Sequence, residues 1–389
     1  MNQPIRSRQC QAASGFSLIE ILVGLLIGML SVIVIMQVFG VFEGNKRTTT
    51  GGDDAQINGT VALYGIERDV REAGYGINTF SLLGCSLSFK TSEDTKTVKL
   101  AALAPVVVNP ATTVVPAGTA GTDTLLVIFG TSDSPSEGDL IATAPSTKTY
   151  PITTAKSFAV ADYVIAQPSA RPTPCDLTLD KVTAISGTTL TVDPGDSTGL
   201  ALGSMVYNMG KGLVVRAYAV RDGNLTVCDY TAYNCADATY ATPKKVDPKV
   251  WVSIASNIAG MRAQYGRDTS GISSNKLSGI VDTYDQITPG STADTSGLAV
   301  QCAWARTLAL RVALVARSGQ YTKYDAAAGE APSTSTAPTW AGTSSAPIDL
   351  SGEGDWKNYR YKTLQTTIPV RNLVWQGSQT TAQGGTGGC

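Results

Sequence analysis

Histidine is absent from the chain. Without it, Ser-His-Asp and Cys-His nucleophile arrangements cannot be assembled, and the commonest metal ligand is missing. Charge is scarce as well: only 16% of residues are Asp, Glu, Lys or Arg, and 30 basic residues face 31 acidic ones. A near-neutral surface gives no electrostatic reason to expect nucleic-acid binding. No CxxC pair occurs, which argues against a zinc site. The acidic pairs at Asp53-Asp54 and at Asp193 and Asp196 read as turns, because calcium needs a fuller set of oxygens. "GYG" lacks the strand–helix setting of a dinucleotide fingerprint. No catalytic constellation, metal site or cofactor site is legible, so the chain is not read as an enzyme.

One thing is plentiful, and that is a continuous apolar run. Residues 16–42, "FSLIEILVGLLIGMLSVIVIMQVFGVF", would span about 40 Å as a helix, enough to cross a bilayer with some tilt. The fifteen residues before it carry Arg6 and Arg8 and no acid. That charge bias puts the leader in the cytoplasm and residues 77–389 in the periplasm. A secretory signal fits poorly: its apolar region is shorter, and no small-x-small cleavage site follows this one. Within the run, Gly24 and Gly28 form a small-xxx-small pair suited to close helix approach, as do Gly40 and Gly44. Glu20 is the anomaly. A carboxylate inside hydrocarbon costs a few kcal/mol and needs either a route to the interface or a partner.

The junction "GFSLIE" resembles the processing signal of type IV prepilins and pseudopilins. That resemblance implies cleavage between Gly15 and Phe16 by a prepilin peptidase, and N-methylation of Phe16. It also implies an assembly role for Glu20, whose carboxylate would pair with the amino terminus of a neighbouring subunit in the apolar filament core. The segment "VFEGNKRTTTGGDDAQINGTVALYGIERDVREAGYG" is similar to the PilW family of minor pilins. So are "GTDTLLVIFG", "YGRD", "RVALVARS" and "LQTTIPVRN", in that order. The proline that many major pilins carry in the apolar helix is replaced by Gln37. The implied fold is α+β and pilin-like, a long N-terminal helix packed on a large antiparallel β domain. The implied role is a minor pilin that primes assembly of a type IV pilus and sits at its tip, supporting motility and adhesion. Implied partners are other minor pilins, the major pilin, a PilY-type tip adhesin, the peptidase and the inner-membrane assembly platform. A large pseudopilin of a type II secretion system shares the signal and is the nearer alternative. A membrane-anchored periplasmic enzyme is the farther one.

Beyond the apolar run, "EGNKRTTTGGDDAQ" combines β-branched residues, paired glycines and charges, and predicts a break or linker. Asp53 or Asp54 would cap a second helix, with Leu63, Ile66, Val70 and Ala73, joined by Ile57 and Val61, as its apolar stripe. Gly74 or Gly76 would end it. The boundaries expected are therefore a leader over 1–15, a membrane or filament-core helix over 16–42, a linker and amphipathic helix over 43–76, and a β-rich domain over 77–389. In that domain Asp222-Gly223 marks a hairpin, and residues 307–317 alternate as a strand. Pro369 suggests an edge strand. Residues 325–355, rich in Pro, Ser, Thr and Ala, read as a surface loop. With Cys10 in the leader, Cys85, Cys175, Cys228, Cys235, Cys302 and Cys389 remain. An even number in a translocated domain points to disulfides, with fifteen possible connectivities. Proximity favours Cys228 with Cys235; Cys85 with Cys175 and Cys302 with Cys389 would complete one set.

Overall fold

A computed structural model describes Gly15 and residues 17–77, 79–131, 138–242, 245–272, 277–324, 326–327 and 329–372, without the side chains at 45, 47, 48 and 245. The chain divides into two units, Met1–Gly51 and Gly52–Cys389. Helical hydrogen bonding runs without interruption over Leu18–Glu72 (helix α1), so the predicted break is not there. The β-branched and glycine residues of that stretch each disfavour helix by under about 1 kcal/mol. Extending an existing helix, unlike starting a second one, carries no nucleation penalty. Asp53 and Asp54 are consequently exposed mid-helix residues, not caps.

In the second unit α1 buries Ala55, Ala62, Leu63, Ile66, Val70 and Ala73. Ile57 and Val61 do not join them: both are exposed, along with Tyr64. At about 100° per residue, Ile57 lies roughly half a turn of the helical wheel from Ile66, so one stripe cannot hold both. Gly59 marks the closest approach of helix to sheet. A Cβ there would stand 2.4 Å from Leu364 Cδ1 and 3.0 Å from Ala316 Cβ. The helix ends at Gly74, in the left-handed region at φ 83°, where its amide donates to Ile128 O at 2.9 Å. The Asn372 side-chain amide then donates to the carbonyls of Glu72 (3.1 Å) and Ala73 (3.0 Å), satisfying acceptors that a helix end leaves open.

The sheet beneath Gly59 runs Thr283–Asp285, Ile258–Arg267, Thr307–Arg317, Tyr361–Pro369, all antiparallel. Pro369 closes an edge strand, where a missing amide is tolerated. Residues 307–317 do not simply alternate between core and solvent, because both faces of the sheet are covered. Leu310, Val312, Leu314 and Ala316 join the core that includes the helix stripe. Ala259, Ala313 and Val315 pack on the other face against Trp340, Ala346, Ile348 and Leu350. Those last four lie within the predicted surface loop. Its described residues form no strand, yet its apolar side chains form the second cover, pinned by Trp340 Nε1 donating to Ala346 O at 2.6 Å.

A second antiparallel sheet runs Val252–Ser256, Asn224–Asp229, Val214–Arg221, Leu125–Phe129, Val106–Val108. Its central hairpin turns at Asp222 (φ 49°) and Gly223 (φ 69°). Leu125–Phe129 and Val214–Arg221 are direct neighbours, so residues 130–213 form an insertion between paired strands. Strands of this insertion, with Ser86–Lys90 and Thr97–Leu100, build an eight-stranded sheet. The insertion has its own core, including Ile141, Tyr150, Ile152, Val164 and Val206. The links that tie it to the rest include the Cys85–Cys175 disulfide and parallel pairing of Ser86–Ser88 with Asp176–Thr178. It emerges beside the C-terminal end of α1, where Gly130 N donates to Tyr75 O at 2.7 Å and Met209 lies against Gly76.

Inside the insertion Asp180 is wholly buried. It accepts from Tyr150 Oη at 2.6 Å and from Gly195 N at 2.7 Å. Burial pushes its carboxyl up to about 6, despite those hydrogen bonds and with the nearby Asp196 charge adding to the rise. The folded chain therefore binds this proton more tightly than the unfolded chain does. The associated stabilisation is full below about pH 4 and is lost as pH rises through about 6. Asp180→Asn, whose amide can donate to Tyr150 while its carbonyl accepts from Gly195, should remove that dependence. Urea unfolding of the full chain in micelles should show a gain of about 1–3 kcal/mol at pH 7.5 and little change at pH 4. An unchanged slope between those pH values would assign the effect elsewhere.

Candidate functional site: the apolar helix and its seam

At the start of α1, Ser17 and Glu20 cap the helix reciprocally. Ser17 Oγ accepts from Ile19 N at 3.2 Å, while Glu20 Oε2 accepts from Ser17 N at 3.3 Å. This S-x-x-E capping box was visible in "SLIE" and was missed by reading Glu20 only as a membrane anomaly. It holds the carboxylate back toward the N-terminal end, where the positive end of the helix dipole also favours it. Gly15 is exposed. Phe16 lies outside the described residues.

From Leu18 to Phe42 every described side chain is exposed. The most apolar 18-residue window has a mean hydropathy of 2.8 and none of it is buried. A helix that is hydrophobic all round and uncovered belongs in lipid or against other chains, since each large side chain buried is worth about 1.5–3 kcal/mol. It is long and apolar enough to cross a membrane. Gly24 and Gly28 sit on that surface, and a Cβ at either would meet nothing within 4 Å. Their small size serves no packing need within the described residues.

The second unit grips its share of α1 through Asp69. This carboxylate, 1% exposed, is bonded by Arg216 Nη1 at 2.7 Å and by Tyr218 Oη at 2.5 Å, with Arg68 at 3.3 Å. Both Arg216 and Tyr218 come from the Val214–Arg221 strand. Burial raises the Tyr218 phenol, and the Asp69 charge raises it further. Burial alone would lower the Arg216 guanidinium, but Asp69 outweighs it and holds the group above its ordinary value. No sequence signal distinguished Asp69 from its charged neighbours Glu67, Arg68, Arg71 and Glu72. Only its position on the buried face does.

Other buried acids are engaged by the chain itself. Asp123 accepts from Asn109, Arg262, Ala263 N and Gln286 at 2.6–3.0 Å, and burial still raises its carboxyl. Burial also pushes Asp268 upward, yet bonds from Ser270, Ser278 and Gly279 bring it below its usual range. Among the described residues no group of three or more metal-ligating side chains could hold an ion. Cys228 and Cys235 are joined by a disulfide. Cys302 is also disulfide-bonded, and Cys389, the partner considered above, lies outside the described residues.

The architecture defines a class: an α+β protein whose long, uncovered apolar N-terminal helix carries an antiparallel β-rich domain. Within it, the family model described as Type IV Pilus-assembly protein W matches residues 217–372, so this part of the chain is similar to that family. The match covers all four strands of the sheet under Gly59 but not the 130–213 insertion. No curated protein and no solved structure matches the chain.

The Asp69 seam can be tested directly. Asp69→Ala leaves the buried Tyr218 hydroxyl without its acceptor and the half-buried Arg216 without its partner, and should destabilise the full chain by about 1–3 kcal/mol. Urea unfolding followed by tryptophan emission would measure this; a loss under about 0.5 kcal/mol would show that the seam is held by apolar contacts alone.

Proposed function

We propose that the chain is a minor pilin that primes a type IV pilus and occupies its tip. It is inserted in the inner membrane by α1 with the β domain in the periplasm. Prepilin peptidase cleaves between Gly15 and Phe16, and Phe16 is then N-methylated. The assembly platform extracts the helix into a filament core, where Glu20 pairs with a neighbour's terminal amine and Gly24 and Gly28 allow close approach. Other minor pilins, the major pilin and a PilY-type adhesin are the partners this role requires. The observation that carries the reading is the fully uncovered apolar helix bearing an acid at its start, in a chain whose residues 217–372 match the Type IV Pilus-assembly protein W family model. The separately cored insertion at the end of the domain where α1 stops supports a tip position, because bulk there need not fit a repeating shaft.

Two measurements test it. Mass spectrometry of the chain from sheared pili should find methylated Phe16 as the amino terminus; an intact leader there would refute the processing step. Glu20→Ala should cut recovery in the pilus fraction at least about tenfold, the effect of leaving a buried amine unpaired. The variant should still reach the membrane with its disulfides formed. Wild-type recovery would remove Glu20 from assembly. A type II secretion role would instead show as lost secretion with intact twitching in a deletion strain.

A further inference from the structure

The end of the second unit where α1 enters carries a cluster of aromatic and basic side chains that the pilin reading leaves unused. Gly59 packs against Ala316 and Leu364, whereas Asn372 reaches the far end of α1 at Glu72. Helix and Tyr361–Pro369 strand therefore run alongside one another in the same direction. Residues 317–324 and 353–361 extend past Ala316 and Leu364 at the entry end. There Tyr321, 49% exposed, packs edge-to-face on Tyr359 at 5.4 Å, and its hydroxyl accepts from Asn358 Nδ2 at 2.9 Å. The half-buried Trp356 lies under the Lys357 ammonium, and Arg317 stacks on Tyr359 while pairing with Glu353. Exposed Lys323 and Lys357 are offset by exposed Asp222 and Asp355.

We infer that this aromatic rim rests in the headgroup layer of the membrane while the chain is still anchored by α1. The inference rests on the anchoring part of the proposed function. Tyr and Trp are favoured where one end of a ring is apolar and the other wet, which is the condition of the bilayer interface. The exposed Tyr321 ring is held by two contacts, so little conformational freedom is lost when it inserts. Connectivity keeps the second unit near the bilayer: ten residues separate Phe42 from Gly52, at most about 35 Å even fully extended. Because local charges of both signs nearly cancel, the contact depends on the rings and not on anionic lipid. Extraction into a filament would lift the rim off the membrane, so its release is part of the work of assembly.

The test uses the full chain in vesicles of phosphatidylethanolamine and phosphatidylglycerol, with or without bromine on the upper acyl carbons. Tyr321→Trp adds an emission component, obtained by difference from wild type, that should fall about twofold in brominated vesicles. The component added by Leu202→Trp, an exposed site in the insertion, should not. Trp356→Phe should reduce the quenching seen in the otherwise native chain, which covers the case of a misfolded Tyr321→Trp. Replacing phosphatidylglycerol by phosphatidylcholine should leave these results unchanged. Equal quenching at 321 and 202, or none at 321, overturns the inference. Flotation at alkaline pH separates the two levels: a chain that floats without quenching at 321 is anchored but lacks the contact, whereas one that fails to float removes the anchoring reading and this one together.

Discussion

Asp69 is the point at which the two halves of this fold's logic meet. A helix apolar enough for a bilayer must also present one polar-flanked face to a β domain, and a single buried carboxylate, bonded by Arg216 and Tyr218, sets its register there. Apolar packing through Ile66 and Val70 supplies affinity without direction. The ion pair supplies the direction, since a slip of one residue would turn Asp69 about 100° away from both partners and leave the buried Tyr218 hydroxyl without its acceptor. Gly59 permits the approach that makes those contacts short.

From that seam the remaining architecture follows in layers. One sheet lies between the helix on one face and the Trp340 segment on the other, while a neighbouring sheet supplies Arg216 and Tyr218 and is interrupted by the insertion. The helix enters at the aromatic rim and stops beside the insertion. The domain thus has two chemically distinct ends, one ringed by tyrosine, tryptophan and lysine, the other an additional β layer tied by Cys85–Cys175.

How much of this was legible depended on whether the signal was local. The apolar run, the Asp222-Gly223 turn, the Cys228–Cys235 bridge and the Pro369 edge each rest on residues close in sequence, and the structure has all of them. Helix continuity through residues 43–52 was not legible, because propensity weighs residues singly while helix extension is cooperative. Ile57 and Val61 looked like core because steps of three and four satisfy two faces once a helix has several turns. The insertion was invisible for another reason: that Leu126 faces Ala217 is a contact across ninety-odd residues, and no periodicity encodes it. At the candidate site, the Ser17–Glu20 capping box was present in four letters and overshadowed by the membrane argument. The roles of Gly24, Gly28 and Glu20 between subunits remain those given by the family resemblance.

The cap supplied by Asn372 sets an order of events. Its amide closes carbonyls 299 and 300 residues upstream, so the helix made first is finished by a residue made far later. Until that segment has been made and its strand has docked, two carbonyls in the terminal turn of α1 lack this donor and the long-range loop stays open. A chain interrupted before Asn372 therefore lacks its closing latch. The closed helix end is thus a mark carried only by a chain folded through Asn372.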